Sequence, residues 1–195
     1  MIMFKEITQA PVLVIRPGST EFDEQRRIKG SLDMPLSDHG VDQVESMAES
    51  IGHFKPKTIF CAPCESARQT AAAIAKRCDA KVKVVDGFKN VDHGLWHGKL
   101  IDELKRNHPK QYRRGQDTPN QLCPPGGESL HQATARVQKA VRKILRRPTS
   151  GVIAFVIPDP LAQIAQNLLS DQPMSNLWSA ENDHAQWSLI EVVPQ

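Results

Sequence analysis

The sequence predicts a three-layer α/β/α sandwich around a mostly parallel central sheet. Short, mostly apolar runs rich in β-branched residues recur along the chain, and stretches with apolar residues at helical spacing alternate with them. Strands buried on both faces read as apolar runs, and such burial needs helices on each side of the sheet. At 195 residues the chain fits one domain, 1–195, long enough to bury such a core.

In chain order, Val12–Ile15 reads as the first buried strand. A helix is expected over Val41–Phe54, capped by Ser37 or Asp38, then a strand over Thr58–Cys61 and a helix over Glu65–Arg77. Val82–Val85 reads as a third buried strand. Between Gly98 and Gly127 the chain turns polar, basic and proline-rich, which predicts an excursion at about 99–127 over one end of the sheet and no second domain. "GGESL" places Glu128 and Ser129 at the start of a basic amphipathic helix over Ser129–Arg147. A strand at Val152–Ile157, a helix at Leu161–Ser170 and an amphipathic edge strand at Trp187–Val193 complete the order.

Composition narrows the function classes. Aromatics at 5% and charged residues at 24% fit a globular chain and not a membrane-embedded or disordered one. The longest apolar run, "VIAFVI", is too short to span a bilayer. Lys5 and Glu6 interrupt the first residues, so no secretion signal is expected and the expected location is cytoplasmic. The four cysteines, Cys61, Cys64, Cys78 and Cys123, are too irregularly spaced for a disulfide scaffold. Net charge is +3, concentrated in Lys105–Arg114 and Arg136–Arg147; without interleaved aromatics these read as solvated faces, and no nucleic-acid partner is expected.

Sheets of this kind bind ligands at the carboxyl ends of their strands. Arg16-Pro17-Gly18 follows the first strand, "CAPCES" the second and "PDP" (Pro158–Pro160) the fourth, so three loops should meet at one place.

These loops carry a resemblance to the histidine phosphatase superfamily, which includes the phosphoglycerate mutases. Arg16-Pro17-Gly18-Ser19-Thr20 is similar to the family's Arg-His-Gly-x-Thr turn. The following signature is matched by Gly30, Asp33, Pro35, Leu36, Ser37, Gly40 and Gln43. "APCESARQTA" resembles the Ser-Pro-x-x-Arg-Ala-x-x-Thr-Ala segment, "GLWHGK" a Gly-x-Trp-Glu-Gly motif, and "PPGGES" the Pro-x-Gly-Glu-Ser loop. The resemblance implies a phosphoglycerate mutase-like fold, and in the family a His takes up the phosphoryl group.

The departures fall on the family's catalytic positions. Pro17 replaces the phosphoryl-accepting His, and Pro158 replaces the second His, which donates to the phosphoryl oxygens. Asp159 stands where the family has Gly, Ser66 aligns with a phosphate-binding Arg, and Asn90 aligns with the acid/base carboxylate. Arg68 lies two residues from that lost Arg, roughly 200° around a helix, and is poorly placed to substitute. No catalytic set is intact.

The expected remnant is a pocket around Arg16, Ser19, Thr20, Ser66, Asn90 and Pro158, less cationic than an active one, with Gly18, Arg68 and His97 as further ligand contacts. His93 and His97 flank the Gly-x-Trp motif and read as exposed loop histidines, while His39 and His131 sit near helix starts. No metal site and no cofactor is expected. The leading reading is a catalytically inactive relative with a binding or regulatory role, through a protein partner, a homodimer contact or a small anionic ligand. Two alternatives stand beside it. One is residual or altered phosphomonoester chemistry using His93 or His97. The other is a thiol redox role for Cys61 and Cys64, since Cys-Ala-Pro-Cys sits between a strand and a helix, where a thiolate is stabilised.

Overall fold

The computed structural model describes residues 10–147, 151–171, 178 and 184–192. Their strands are β1 (Val12–Ile15), β2 (Thr58–Cys61), β3 (Lys81–Val84), β4 (Ile153–Val156) and β5 (Trp187–Ile190). They form one sheet in the order β3-β2-β4-β1-β5, parallel throughout except for β5, which runs antiparallel to β1. The helices are α1 (Glu21–Glu24), α2 (Asp38–Ile51), α3 (Glu65–Cys78), α4 (Ile101–Asn107), α5 (Pro109–Asp117), α6 (Leu130–Leu145) and α7 (Leu161–Ser170).

The strand order fixes the layers. From β1 to β2 to β3 the chain moves one way across the sheet, and from β3 to β4 to β5 it moves back. Right-handed crossovers between the parallel strands therefore put α2 and α3 on one face and α6 on the other, and α7 lies with α6. Consistently, α2 packs on α3, and α6 packs on α7. β1 and β4, central and covered on both sides, are fully buried along their length.

Of the two expected caps for α2 it is Ser37 that serves, its Oγ accepting from the Gly40 amide at 3.0 Å. The helix starts at Asp38, three residues before the expected Val41, because this cap carries it back past the first apolar residue; its far end tightens into a 3₁₀ turn at Gly52–Phe54. Ser129 caps α6 with a reciprocal box to Gln132. The expectation of a buried third strand is corrected: β3 begins at Lys81, and all four residues are exposed, since it is an edge strand among the described residues. Its Lys-Val-Lys-Val sequence places lysines where an unpaired edge would invite another strand. β5 is an edge strand as expected; Val193 lies outside the described residues. The excursion holds α4 and α5, and Pro109 opens α5, where its missing N–H has no intrahelical partner to lose. No helix among the described residues is long and apolar enough to cross a membrane.

Candidate functional site

β1 and β4 are neighbours, yet their following helices lie on opposite faces, so the crevice at their carboxyl ends is the point where strand order reverses. Ile15 pairs with Val156, which in turn pairs with Cys61, and the three loops expected to meet leave the sheet side by side. The cleft there has a volume of about 40 Å³ and is lined by Arg16, Pro17, Gly18, Asn90 and Pro158, among others. That is room for a few waters or a small ion.

The turn after β1 has its polar groups committed. The Pro17 carbonyl accepts from the Ala185 amide at 2.9 Å. The Gly18 amide donates to Thr70 Oγ1 at 3.3 Å and the Ser19 amide to Gln43 Oε1 at 3.0 Å. Thr20 donates through both its amide and its hydroxyl to Asp23, at 2.8 and 2.7 Å. Pro17 has no N–H to give. This turn presents no ready cradle of amides to an anion. Gly18 and Gly40 meet back to back; a Cβ on Gly40 would lie 2.0 Å from the Ser19 carbonyl oxygen, which ties the turn to the first turn of α2.

Arg16 projects into the cleft and meets Asp159, Nε to Oδ2 at 2.5 Å, with side chains 12% and 9% exposed. A carboxylate from the loop after β4 thus sits against the one arginine that the first motif retains. Asn90 is locked as well, Nδ2 donating to the Gly30 carbonyl at 3.0 Å while Oδ1 accepts from the Val91 amide at 2.9 Å. Both ends of the amide hold backbone.

Five of the expected residues do not line the cleft. Ser19 and Thr20 hold the turn from behind, and Ser66 is buried, with its amide donating to the Met34 carbonyl. Arg68 pairs with Glu65, and its guanidinium lies 4.0 Å from Asp33. His97 Nε2 accepts from the amides of His93 and Ser31, at 3.2 and 3.3 Å, which assigns the imidazole proton to Nδ1.

Three cationic residues of the cleft were not among the expected ones: Arg26, Arg27 and Lys29 line it together with Arg16. They come from "EQRRIKG", whose paired arginines were the available sequence signal, and chain distance from the first motif concealed them. The expectation of an exposed loop histidine at 93 is corrected: His93 is 3% exposed, just before the 3₁₀ turn Gly94–Trp96, and lines the cleft. Burial, with the neighbouring His97 adding to it, pushes its imidazole down to about 4, so it is neutral at pH 7. At the mouth, Lys29 Nζ bonds Asp23 Oδ2 at 2.7 Å. Burial opposes ionisation of Asp23, but Lys29, His184 and the Thr20 hydroxyl outweigh it and hold the carboxyl below the usual range.

All four cysteines are free thiols. Cys64 occupies the N-cap of α3 and Cys61 is buried at the end of β2. Burial first, then Cys64, pushes the Cys61 thiol up to about 11, away from a reactive thiolate.

Comparison with known proteins accords with this architecture. A family model for the histidine phosphatase superfamily (branch 1) matches residues 12–195. Phosphoserine phosphatase 1 of Hydrogenobacter thermophilus is 26% identical over 181 residues, covering 93% of this chain and 86% of that protein. A bifunctional protein of Mycobacterium tuberculosis is 32% identical over 143 residues, covering 71% of this chain but 38% of the relative. Among solved structures, a mycobacterial glucosyl-3-phosphoglycerate phosphatase in complex with VO3 superposes with a TM-score of 0.82 at 22% identity, over 92% of each chain. Bacillus stearothermophilus YhfR gives 0.80 at 21% identity, over 93% of this chain and 91% of its own.

Proposed function

The chain belongs to the histidine phosphatase superfamily, and from that premise we propose that it is a non-catalytic member, a cytoplasmic protein with a binding or regulatory role. The observation that carries this reading is the buried Arg16–Asp159 pair, in a cleft where prolines occupy both positions at which the family has histidine. Pro17 offers no atom to accept phosphorus and Pro158 no donor for a developing charge. Asp159 neutralises the arginine that would hold the phosphoryl group, and Asn90 has no proton to give a leaving group. Four separate contributions to phosphoryl transfer are removed, so no single replacement restores the reaction. Relatives in the same superfamily bear names of phosphatases, which makes turnover the decisive measurement.

One observation favours a second reading. His93 is a neutral imidazole lining the same cleft, which is the protonation state a nucleophile needs. The experiment that separates the two is incubation with p-nitrophenyl phosphate and with phosphoserine, followed by acid-stable and base-stable phosphopeptide mapping by mass spectrometry. The non-catalytic reading expects hydrolysis at the rate of the buffer blank and no phosphorylated side chain. A phosphoryl group on His93, formed as fast as product and abolished in His93→Gln, establishes the second reading and overturns the first.

A further inference from the structure

We propose that the cleft binds an oxyanion at its mouth, on the Arg26 guanidinium with Arg27 beside it, and not at its floor on Arg16. This rests on the non-catalytic reading and names the ligand chemistry of the same cleft. Four cationic side chains line the cleft, Arg16, Arg26, Arg27 and Lys29, against two carboxylates, Asp23 and Asp159. The carboxylates are spoken for in pairs: Asp159 lies on Arg16 at 2.5 Å and Asp23 on Lys29 at 2.7 Å. Arg27 donates from Nε to Gln25 Oε1 and from one terminal nitrogen to the Gly98 carbonyl, both neutral acceptors that leave its charge uncompensated. Arg26 has no side-chain partner among the described residues and is exposed. The surplus positive charge of the cleft therefore sits at its mouth, on the guanidiniums of two consecutive residues, whose flat donor arrays suit carboxylate and phosphate oxygens.

The backbone at Arg26 gives an independent reason. Its φ is +56°, a left-handed conformation that glycine adopts freely and an arginine adopts only at a cost. The loop is pinned there from both sides. The Arg26 amide donates to the Asp23 carbonyl at 3.0 Å and its carbonyl accepts from Ile101 at 3.1 Å. Arg27 bridges Leu100, and Ile28 donates to the Lys99 carbonyl at 2.9 Å. A rigid frame thus holds a long cationic side chain at a position where the backbone alone would favour glycine.

The test is isothermal titration of the intact chain with inorganic phosphate near pH 7.5, comparing wild type with Arg26→Gly, Arg26→Lys and the double variant Arg16→Met, Asp159→Leu, which removes the floor arginine without stranding the carboxylate paired with it. Arg26→Gly keeps or raises the melting temperature, since glycine suits the left-handed backbone, so lost binding there is not lost folding. The expected result is phosphate binding weakened at least tenfold, about 1.4 kcal/mol, by Arg26→Gly, largely retained in Arg26→Lys and changed less than threefold in the double variant. Phosphate affinity unchanged in Arg26→Gly but lost in the double variant places the anion on the floor and overturns the proposal. So does failure of the wild type to bind phosphate at millimolar concentration. Neither outcome touches the non-catalytic reading, which stands or falls on phosphoenzyme and turnover.

Discussion

Asp159 shows how one side chain can occupy another at the floor of a cleft. Beside Pro158, its carboxylate faces Arg16 with little solvent between them. Such a pair holds together better than either half alone, because a buried unpaired guanidinium keeps its full desolvation penalty. Asp159→Ala is expected to lower the unfolding free energy by about 3 kcal/mol, read from urea denaturation, while doubly substituted Arg16→Met, Asp159→Leu recovers most of it. A loss under about 0.5 kcal/mol would mean that the pair is solvated and does not close the floor. The cysteines make a second residue-scale prediction. Cys61, buried with its thiol raised to about 11, stays unmodified by iodoacetamide at pH 7.5 in the native protein, while exposed Cys123 is alkylated, as peptide mapping would read. Rapid, paired alkylation of Cys61 and Cys64 would revive the thiol redox alternative.

At the scale of elements, the start of α2 does more than end a helix. Ser37 caps it, its amide donates to the Ser19 carbonyl at 2.9 Å, and its hydroxyl also reaches Glu24, so cap, α1 and the turn after β1 form one unit. Ser37→Ala is expected to cost about 1 to 2 kcal/mol, the upper part of the usual range for a cap, with hydrogen exchange rising at both Gly40 and the turn Gly18–Thr20. Faster exchange confined to α2 would show that the cap and the turn are independent. The element boundaries that the sequence displaced, at α2 and β3, share one cause. Apolar periodicity marks where a helix or strand is buried, whereas caps and edges decide where it begins and how exposed it is.

The whole molecule carries a pH dependence that no local pattern announces. His93 titrates near 4 folded and near 6.5 unfolded, so between those values the unfolded chain binds the extra proton. Stability is therefore full above pH 6.5 and falls as pH drops toward 4, by about 3 kcal/mol in the limit. Asp23, depressed in the folded state, adds a loss in the same direction as pH falls through its own folded value. Urea midpoints should hold from pH 7.5 to about 6.5 and fall from there to 4, and His93→Gln should flatten that fall. An unchanged slope in that variant would mean that His93 is solvated and titrates normally. The same burial makes His93 the residue on which the two functional readings divide, since a neutral imidazole lining the cleft is either structural or a relocated nucleophile.

By itself the sequence determined the class of fold and which side chains stand at the turns of the cleft. Apolar runs and helical spacing are local patterns, and Pro17, Pro158, Ser66 and Asn90 carry no imidazole, guanidinium or carboxylate wherever they lie. Tertiary structure alone decided what surrounds them. Asp159 meets Arg16 only because β1 and β4 pair as neighbours, Arg26 reaches the cleft only through the bridge that holds its loop, and His93 is buried only once the distant Gly30 loop packs against its ring. Each depends on which distant segments become adjacent, and a charge or an imidazole acquires its partner, its burial and its proton affinity from that adjacency and not from its place in the chain.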